Sequence, residues 1–252
     1  MTMMKIEHLG KVYEGNVPVS ALSDINFTIE QGEFVAIMGP SGSGKSTLLN
    51  VISTIDKPSG GHVLVDDIDP HQMNDEQLAE FRRNKLGFVF QDFNLISTLT
   101  VGENIMLPLT LEGVPVAEIK KRTVEVAERL GIGSLLDKRT FEISGGQAQR
   151  TAIARATIAH PSVLLADEPT GNLDSKSAKD VMELFEKLNQ ENQATILMVT
   201  HDSTVASYCK RVLIIKDGRI YQEIQGGDNR MVFHQKIIDA MNLLGGDERD
   251  II

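Results

Sequence analysis

Between positions 39 and 47 the chain reads Gly39-Pro40-Ser41-Gly42-Ser43-Gly44-Lys45-Ser46-Thr47. The spacing is G-x-x-x-x-G-K-[ST], and each residue type in it has a chemical reason to be there. Glycines let the backbone curl with its N–H groups pointing inward, which makes a concave nest for an anion. A helix opening at Ser46 adds its positive end. Lys45 brings a mobile point charge to the outer phosphates of a nucleotide, and the Ser46 hydroxyl is a ligand for Mg2+. Gly39, Ser41, Gly42, Ser43, Gly44, Lys45, Ser46 and Thr47 are therefore assigned to nucleotide binding, with Lys45 also acting in catalysis.

A second group fits the same chemistry. Val163-Leu164-Leu165-Ala166 is an apolar run that ends in Asp167-Glu168. Two carboxylates at the end of a buried strand are costly unless a counter-charge or a metal meets them. Asp167 is assigned to Mg2+, directly or through water. Glu168, one residue on, is placed to orient and deprotonate an attacking water as general base.

These groups need a scaffold that holds them together. Phe34-Val35-Ala36-Ile37-Met38 is apolar throughout, as expected of a strand buried on both faces of a parallel sheet, and it feeds the glycine loop directly. Further strands are expected at Met4–His8, Leu22–Ile29, His62–Val65, Gly87–Phe90, Ser162–Ala166, Thr195–Val199 and Arg211–Lys216, and a helix at Ser46–Ser53. From about Asn94 to Ala159 the text turns helical, with an amphipathic stretch at Val116–Leu130. Near the end Val232, Phe233, Ile237, Ile238, Met241 and Leu244 form a helix-like stripe over Asp228–Leu244.

The expected fold is α/β, a P-loop ATPase core with an N-terminal antiparallel β subdomain and an inserted α-helical subdomain. Core and β subdomain take residues 1–92 and 160–225, the helical insert 93–159, and a C-terminal helical extension 226–252.

The totals narrow the class. With 25 Lys+Arg against 35 Asp+Glu the net charge is −10, which repels nucleic-acid phosphates at long range. Cys209 is the single cysteine, so an intrachain disulfide is excluded and a reducing cytoplasm fits. It is expected to pack on the buried side of a short helix around Val205–Cys209. No apolar run approaches the roughly 20 residues that span a bilayer, and no signal peptide is read at Met1–Glu7. A membrane role would come through a partner.

Many nucleotide enzymes share the first two features. The discriminating stretch is Ile143-Ser144-Gly145-Gly146-Gln147-Ala148-Gln149-Arg150, upstream of Asp167. It resembles the signature of ABC ATPases, with Ile143 where leucine is usual. Its hydroxyl and two glycines at a helix start form another anion nest. The resemblance extends along residues 3 to 223. It implies that ATP is the nucleotide, that Tyr13 stacks on adenine, and that Gln91 touches Mg2+ or its water and links the site to a membrane partner. Gly171-Asn172-Leu173-Asp174 resembles the loop that crosses a dimer interface, and His201 the switch histidine that bonds the γ-phosphate. Ser144, Gly145, Gly146 and Gln147 would then contact the nucleotide of an opposite subunit. The implied assembly is a homodimer, or a pair with a related ATPase subunit, peripheral at the cytoplasmic face of the membrane and bound to an integral permease.

Phe90-Gln91-Asp92-Phe93-Asn94-Leu95, Leu99-Thr100-Val101, Glu103-Asn104 and Leu107-Pro108 resemble the lipoprotein-release and macrolide-export group. Asp56, Val199-Thr200-His201-Asp202 and Leu243-Leu244-Gly245-Gly246 look most like the bacitracin-export type, which implies antimicrobial peptide resistance and a sensor kinase reached through the permease. Asn172 departs from that type, where alanine is common. Two other readings stand beside this one: an ATP-gated regulatory clamp, and a soluble ABC protein acting on ribosomes or DNA. The single cassette, the absence of sustained heptads and the acidic charge weigh against the latter.

Overall fold

The computed structural model describes residues 1–246; the last residues of the expected C-terminal extension, 247–252, lie outside the described residues. Strands β1 (Thr2–Tyr13) and β2 (Val19–Glu30) pair antiparallel, and β4 (Gly60–Val65) adds to the other side of β1. Period-two patterning drives this sheet: Ile25, Phe27 and Ile29 are buried while Asn26 and Thr28 between them face solvent.

The second sheet has six strands, β3 (Phe34–Met38), β5 (Leu86–Val89), β6 (Val163–Asp167), β7 (Thr195–Val199), β8 (Arg211–Lys216) and β9 (Arg219–Gln225). Their spatial order is β5-β6-β7-β3-β8-β9, parallel except for the edge strand β9. Every residue of β3 is buried. Phe34, Ala36 and Met38 enter one core, and Val35 and Ile37 the other. Both faces of a parallel sheet must be covered, and here the covers differ. One face carries the antiparallel sheet and α1 (Lys45–Ile52); the other carries helices.

Between β5 and β6 lie α3 (Val101–Glu112), α4 (Val116–Arg129) and α5 (Gly145–Thr157). Helix α6 (Ser175–Asn192) precedes β7, and a single turn, α7 (Ser203–Ala206), follows it. The fold class is the one read from the sequence.

No expectation was given for helix α2 (Asp75–Lys85), helix α6 or strand β9. Helix α2 buries only Phe81, and β9 only Ile224, so neither shows an apolar period. Cys209 is buried as expected, yet it reaches the core from the turn after α7 rather than from a helix. Helix α8 (Arg230–Gly246) docks through Phe233, Ile237, Ala240 and Leu244, spaced for one helical face. Val232, expected in that stripe, is 53% exposed and points away.

The sheet order has one consequence for chemistry. Strands β5, β6, β7 and β3 are adjacent and parallel, so the loops after their carboxyl ends gather at one edge. Those loops carry Gln91, Asp167 with Glu168, His201, and the glycine loop.

Candidate active site

The glycine loop is shaped by close approach. A Cβ on Gly39 would lie 2.1 Å from the Ile215 carbonyl oxygen, and one on Gly44 would lie 2.5 Å from that of Ala21, at a φ of 103°. Only glycine fits either place. Helix α1 starts from Gly44 with no side-chain cap, unlike α5, α6 and α7, which Ser144, Asp174 and Asp202 cap. Its first-turn N–H groups are therefore donors without an intrahelical partner. Ser43 is 3% exposed and its Oγ is a buried polar atom without a hydrogen-bond partner. An anion in the nest would satisfy both sets of donors.

Lys45 arches back over this loop, its Nζ donating to the carbonyls of Gly39 at 2.9 Å and Pro40 at 2.8 Å. Burial pulls the ammonium below its ordinary pKa, against the opposing pull of Glu168 and Asp167. Asp167 shows the converse. Burial raises its carboxyl above the usual range, Glu168 adds to the rise, and Lys45 opposes it. A cation would relieve that cost. Among the described residues no cluster of three or more His, Cys, Asp or Glu side chains could by itself hold a metal. The oxygen donors Ser46, Asp167 and Gln91 instead suit Mg2+, which commonly takes one or two carboxylates together with substrate phosphates.

Glu168 has a left-handed backbone, φ 44°, uncommon for a residue with a side chain. Its N–H donates to Val199 O at 2.9 Å and its carbonyl accepts from Gly171 N–H at 3.0 Å, so strand β7 and the following turn both hold it there. The side chain ends 2.7 Å from His201 Nδ1, an N–H donor to Oε1. His201 itself is largely exposed, 73%, while the Glu168 side chain is 15% exposed. A cleft of about 540 Å³ opens beside the pair, lined also by Thr170, Gly171, Leu173 and Thr204.

Gln91 meets the loop after β6: its Nε2 donates to Asn172 Oδ1 at 3.4 Å, and Gly171 packs directly on its side chain. Tyr13 is 41% exposed at the end of β1. Its hydroxyl donates to Asp56 Oδ2 at 2.9 Å, Lys11 Nζ donates to the other oxygen at 2.7 Å, and Lys11 lies 4.8 Å from the Tyr13 ring centre. Asp56 stood out in the sequence only as a subgroup marker; its contact with Tyr13 pairs positions 43 apart, and no local spacing announces it.

Ser144 caps α5 through Gln147 N–H at 3.3 Å, and the Gln147 side chain accepts from Ser144 N–H at 2.9 Å, a capping box. A Cβ on Gly145 would meet Leu173, Phe93 and Asn172 of the same chain, and one on Gly146 would meet Ser177. The single chain thus brings Lys45, Asp167, Glu168 and His201 together and keeps the Ser144 turn on residues 172–177.

A family model described as ABC transporter matches residues 22–171. The chain is 57% identical over 249 residues to the ABC transporter ATP-binding protein YxdL of Bacillus subtilis, covering 99% of this chain and 97% of YxdL. It is 49% identical over 230 residues to the bacitracin export ATP-binding protein BceA of Halalkalibacterium halodurans, covering 91% of each. A dimeric post-hydrolysis state of the ATP-binding cassette MJ0796 bound to ADP and Pi is similar in structure, with a TM-score of 0.82 and 42% identity. That match covers 90% of this chain and 100% of MJ0796.

Proposed function

The chain belongs to the ABC transporter family as an ATP-binding and ATP-hydrolysing subunit, and from that premise we propose that two copies clamp two ATP molecules between them and power a separate membrane permease. One observation carries the reading. Four parallel strands deliver Lys45, Gln91, Asp167 with Glu168, and His201 to one edge, while the glycines of the Ser144 turn pack beside Phe93, Asn172, Leu173 and Ser177 rather than beside the glycine loop. A second copy would supply that turn.

In this scheme the amides of residues 41–47 and the Lys45 ammonium hold the phosphates, and Tyr13 stacks on the base. Ser46, Asp167 and Gln91 would hold Mg2+, which would neutralise charge on the phosphate oxygens. Glu168 takes the proton from water as it attacks, and His201 holds the Glu168 carboxylate in place and meets the γ-phosphate. Ser144, Gly145, Gly146 and Gln147 of the opposite copy close the site. Hydrolysis removes the group that bridges the two chains, and the clamp opens.

No helix among the described residues is long and apolar enough to cross a membrane, which fits a subunit that docks on its permease from the cytoplasmic face. The 49% identity to a protein named for bacitracin export supports peptide antibiotics as the permease's targets; a sensor kinase reached through the permease is proposed on the sequence resemblance alone. Reconstitution with its membrane permease tests the reading. Peptide-stimulated ATP turnover is expected; stimulation by lipoprotein or macrolide but not by peptide would move the chain to another branch. Turnover indifferent to every cargo, with ATP binding alone altering the permease, would make it a regulatory clamp.

A further inference from the structure

Two loops at the carboxyl edge of the sheet are fastened to one another by a residue to which the scheme above gives no task. The loop after β5 carries Gln91 and Asp92, and the loop after β6 carries Gly171 and Asn172 just past Glu168. Asn172 Nδ2 donates to the Asp92 carboxylate at 2.7 Å and to the Gln91 carbonyl at 3.2 Å. Its Oδ1 accepts from Gln91 Nε2 at 3.4 Å. A primary amide is the side chain with donors and an acceptor for all three partners: alanine offers none, and aspartate has no donor. Against the Asp92 carboxylate an aspartate would also add like charge.

The fastening is doubled from beneath. Gln149 of α5 is fully buried and donates through Nε2 to the Pro169 carbonyl at 2.6 Å, and it reaches the Phe90 carbonyl at 3.4 Å. Gly171 seals the contact, because a Cβ there would lie 2.9 Å from Gln91 Nε2. From Gly171 the path to Glu168 is short. Gly171 N–H donates to the Glu168 carbonyl at 3.0 Å, closing a turn whose other residues, Pro169 and Thr170, are buried.

We propose that Asn172 is a positioning residue: it clasps the loop of Gln91 to the turn of Glu168, so that the two move as one body and the carboxylate is set by the position of Gln91. This rests on reading Glu168 as the general base and Gln91 as the residue facing the permease. Asn172 lies outside the phosphate loop, so the clasp acts first on turnover and reaches nucleotide affinity only through Gln91.

Asn172→Ala, Asn172→Asp and the double variant Asn172→Asp/Asp92→Asn, made in the full chain, test the idea by ATPase kinetics and by amide hydrogen exchange. Asn172→Ala is expected to lower kcat at least about tenfold with a smaller change in KM for ATP, the scale of a lost hydrogen bond to a charged group. It should also speed exchange in residues 90–94 and 170–174 together, while β6 and α6 keep their rates. Asn172→Asp should be slower still, and adding Asp92→Asn should recover kcat in part, because the amide–carboxylate pair returns with its roles reversed while the Gln91 carbonyl stays without its donor. Faster exchange confined to 170–174, or a double variant as slow as Asn172→Asp alone, would overturn the clasp. Glu168→Gln separates the two ideas. Retained turnover in that variant would end the general-base reading while the exchange result for Asn172 stood untouched.

Discussion

At the scale of single residues, charge and burial set what the site can do. Lys45 is held by two carbonyls of its own loop and drawn toward Asp167 and Glu168, so it is an ammonium that phosphates can recruit. Lys45→Ala is expected to weaken ATP binding at least about tenfold, the scale of a lost charge-assisted hydrogen bond. Equilibrium titration measures it, and unchanged affinity would count against the placement of the loop. Asp167 carries a cost that a cation would relieve. Because burial raises its folded pKa, ionisation destabilises the fold as pH rises from the unfolded value through the folded one, and the full penalty remains above both. In Mg-free and nucleotide-free buffer, Asp167→Asn should therefore raise Tm near neutral pH, and the gain should shrink as pH falls toward about 4. A gain that did not depend on pH would point to packing instead. The types of these residues were legible in the sequence, because phosphate and metal chemistry admit few side chains. The partners of Tyr13 and Asn172 were not, since each contact joins positions far apart in the chain.

At the scale of elements, capping decides how each helix start uses its donors. Asp174 caps α6 by accepting from Lys176 and Ser177 N–H, each at 3.0 Å, and from Ser177 Oγ at 2.6 Å. Helix α1 has no such cap, and its free donors face the place assigned to phosphate. Asp174→Ala should cost about 1 kcal/mol and lower Tm by about 3 °C. Helix α8 is held by burial instead: Ile237 is fully buried in the core it shares with Val205 and Ala206 of α7. Its His234 bonds Ser203 at 3.0 Å, and Arg230 stacks over Tyr208 while pairing with Glu186 at 2.6 Å. Ile237→Ala should cost about 2–5 kcal/mol, a drop of at least about 5 °C by calorimetry. A smaller loss would mean that α8 is not part of the cooperative unit. Strands β3, β7 and β8 announced themselves because burial on both faces demands unbroken apolar runs. Helix α2 and strand β9 lie at the surface, where one or two buried side chains leave no period to read.

At the scale of the whole molecule, the Ser144 turn and the phosphate loop of one chain are separate features, and a composite site makes a direct prediction. Lys45→Ala and Ser144→Arg should each abolish turnover alone. Mixing the two proteins should restore it to at most about a quarter of the unmodified rate, since half of the dimers are mixed and each holds one intact site. Mixtures no more active than the separate variants would argue against sites shared between chains. The sequence by itself determined the chemistry, because residue type and local spacing are one-dimensional facts, and a phosphate nest or a buried strand needs nothing more. Only the tertiary structure decided which loops meet. Strand order β5-β6-β7-β3 places residues from 39 to 201 at one edge, ties Glu168 to His201, and seats Asn172 on Asp92. Adjacency of that kind follows from how strands pack side by side, a three-dimensional outcome of burying two faces of one sheet.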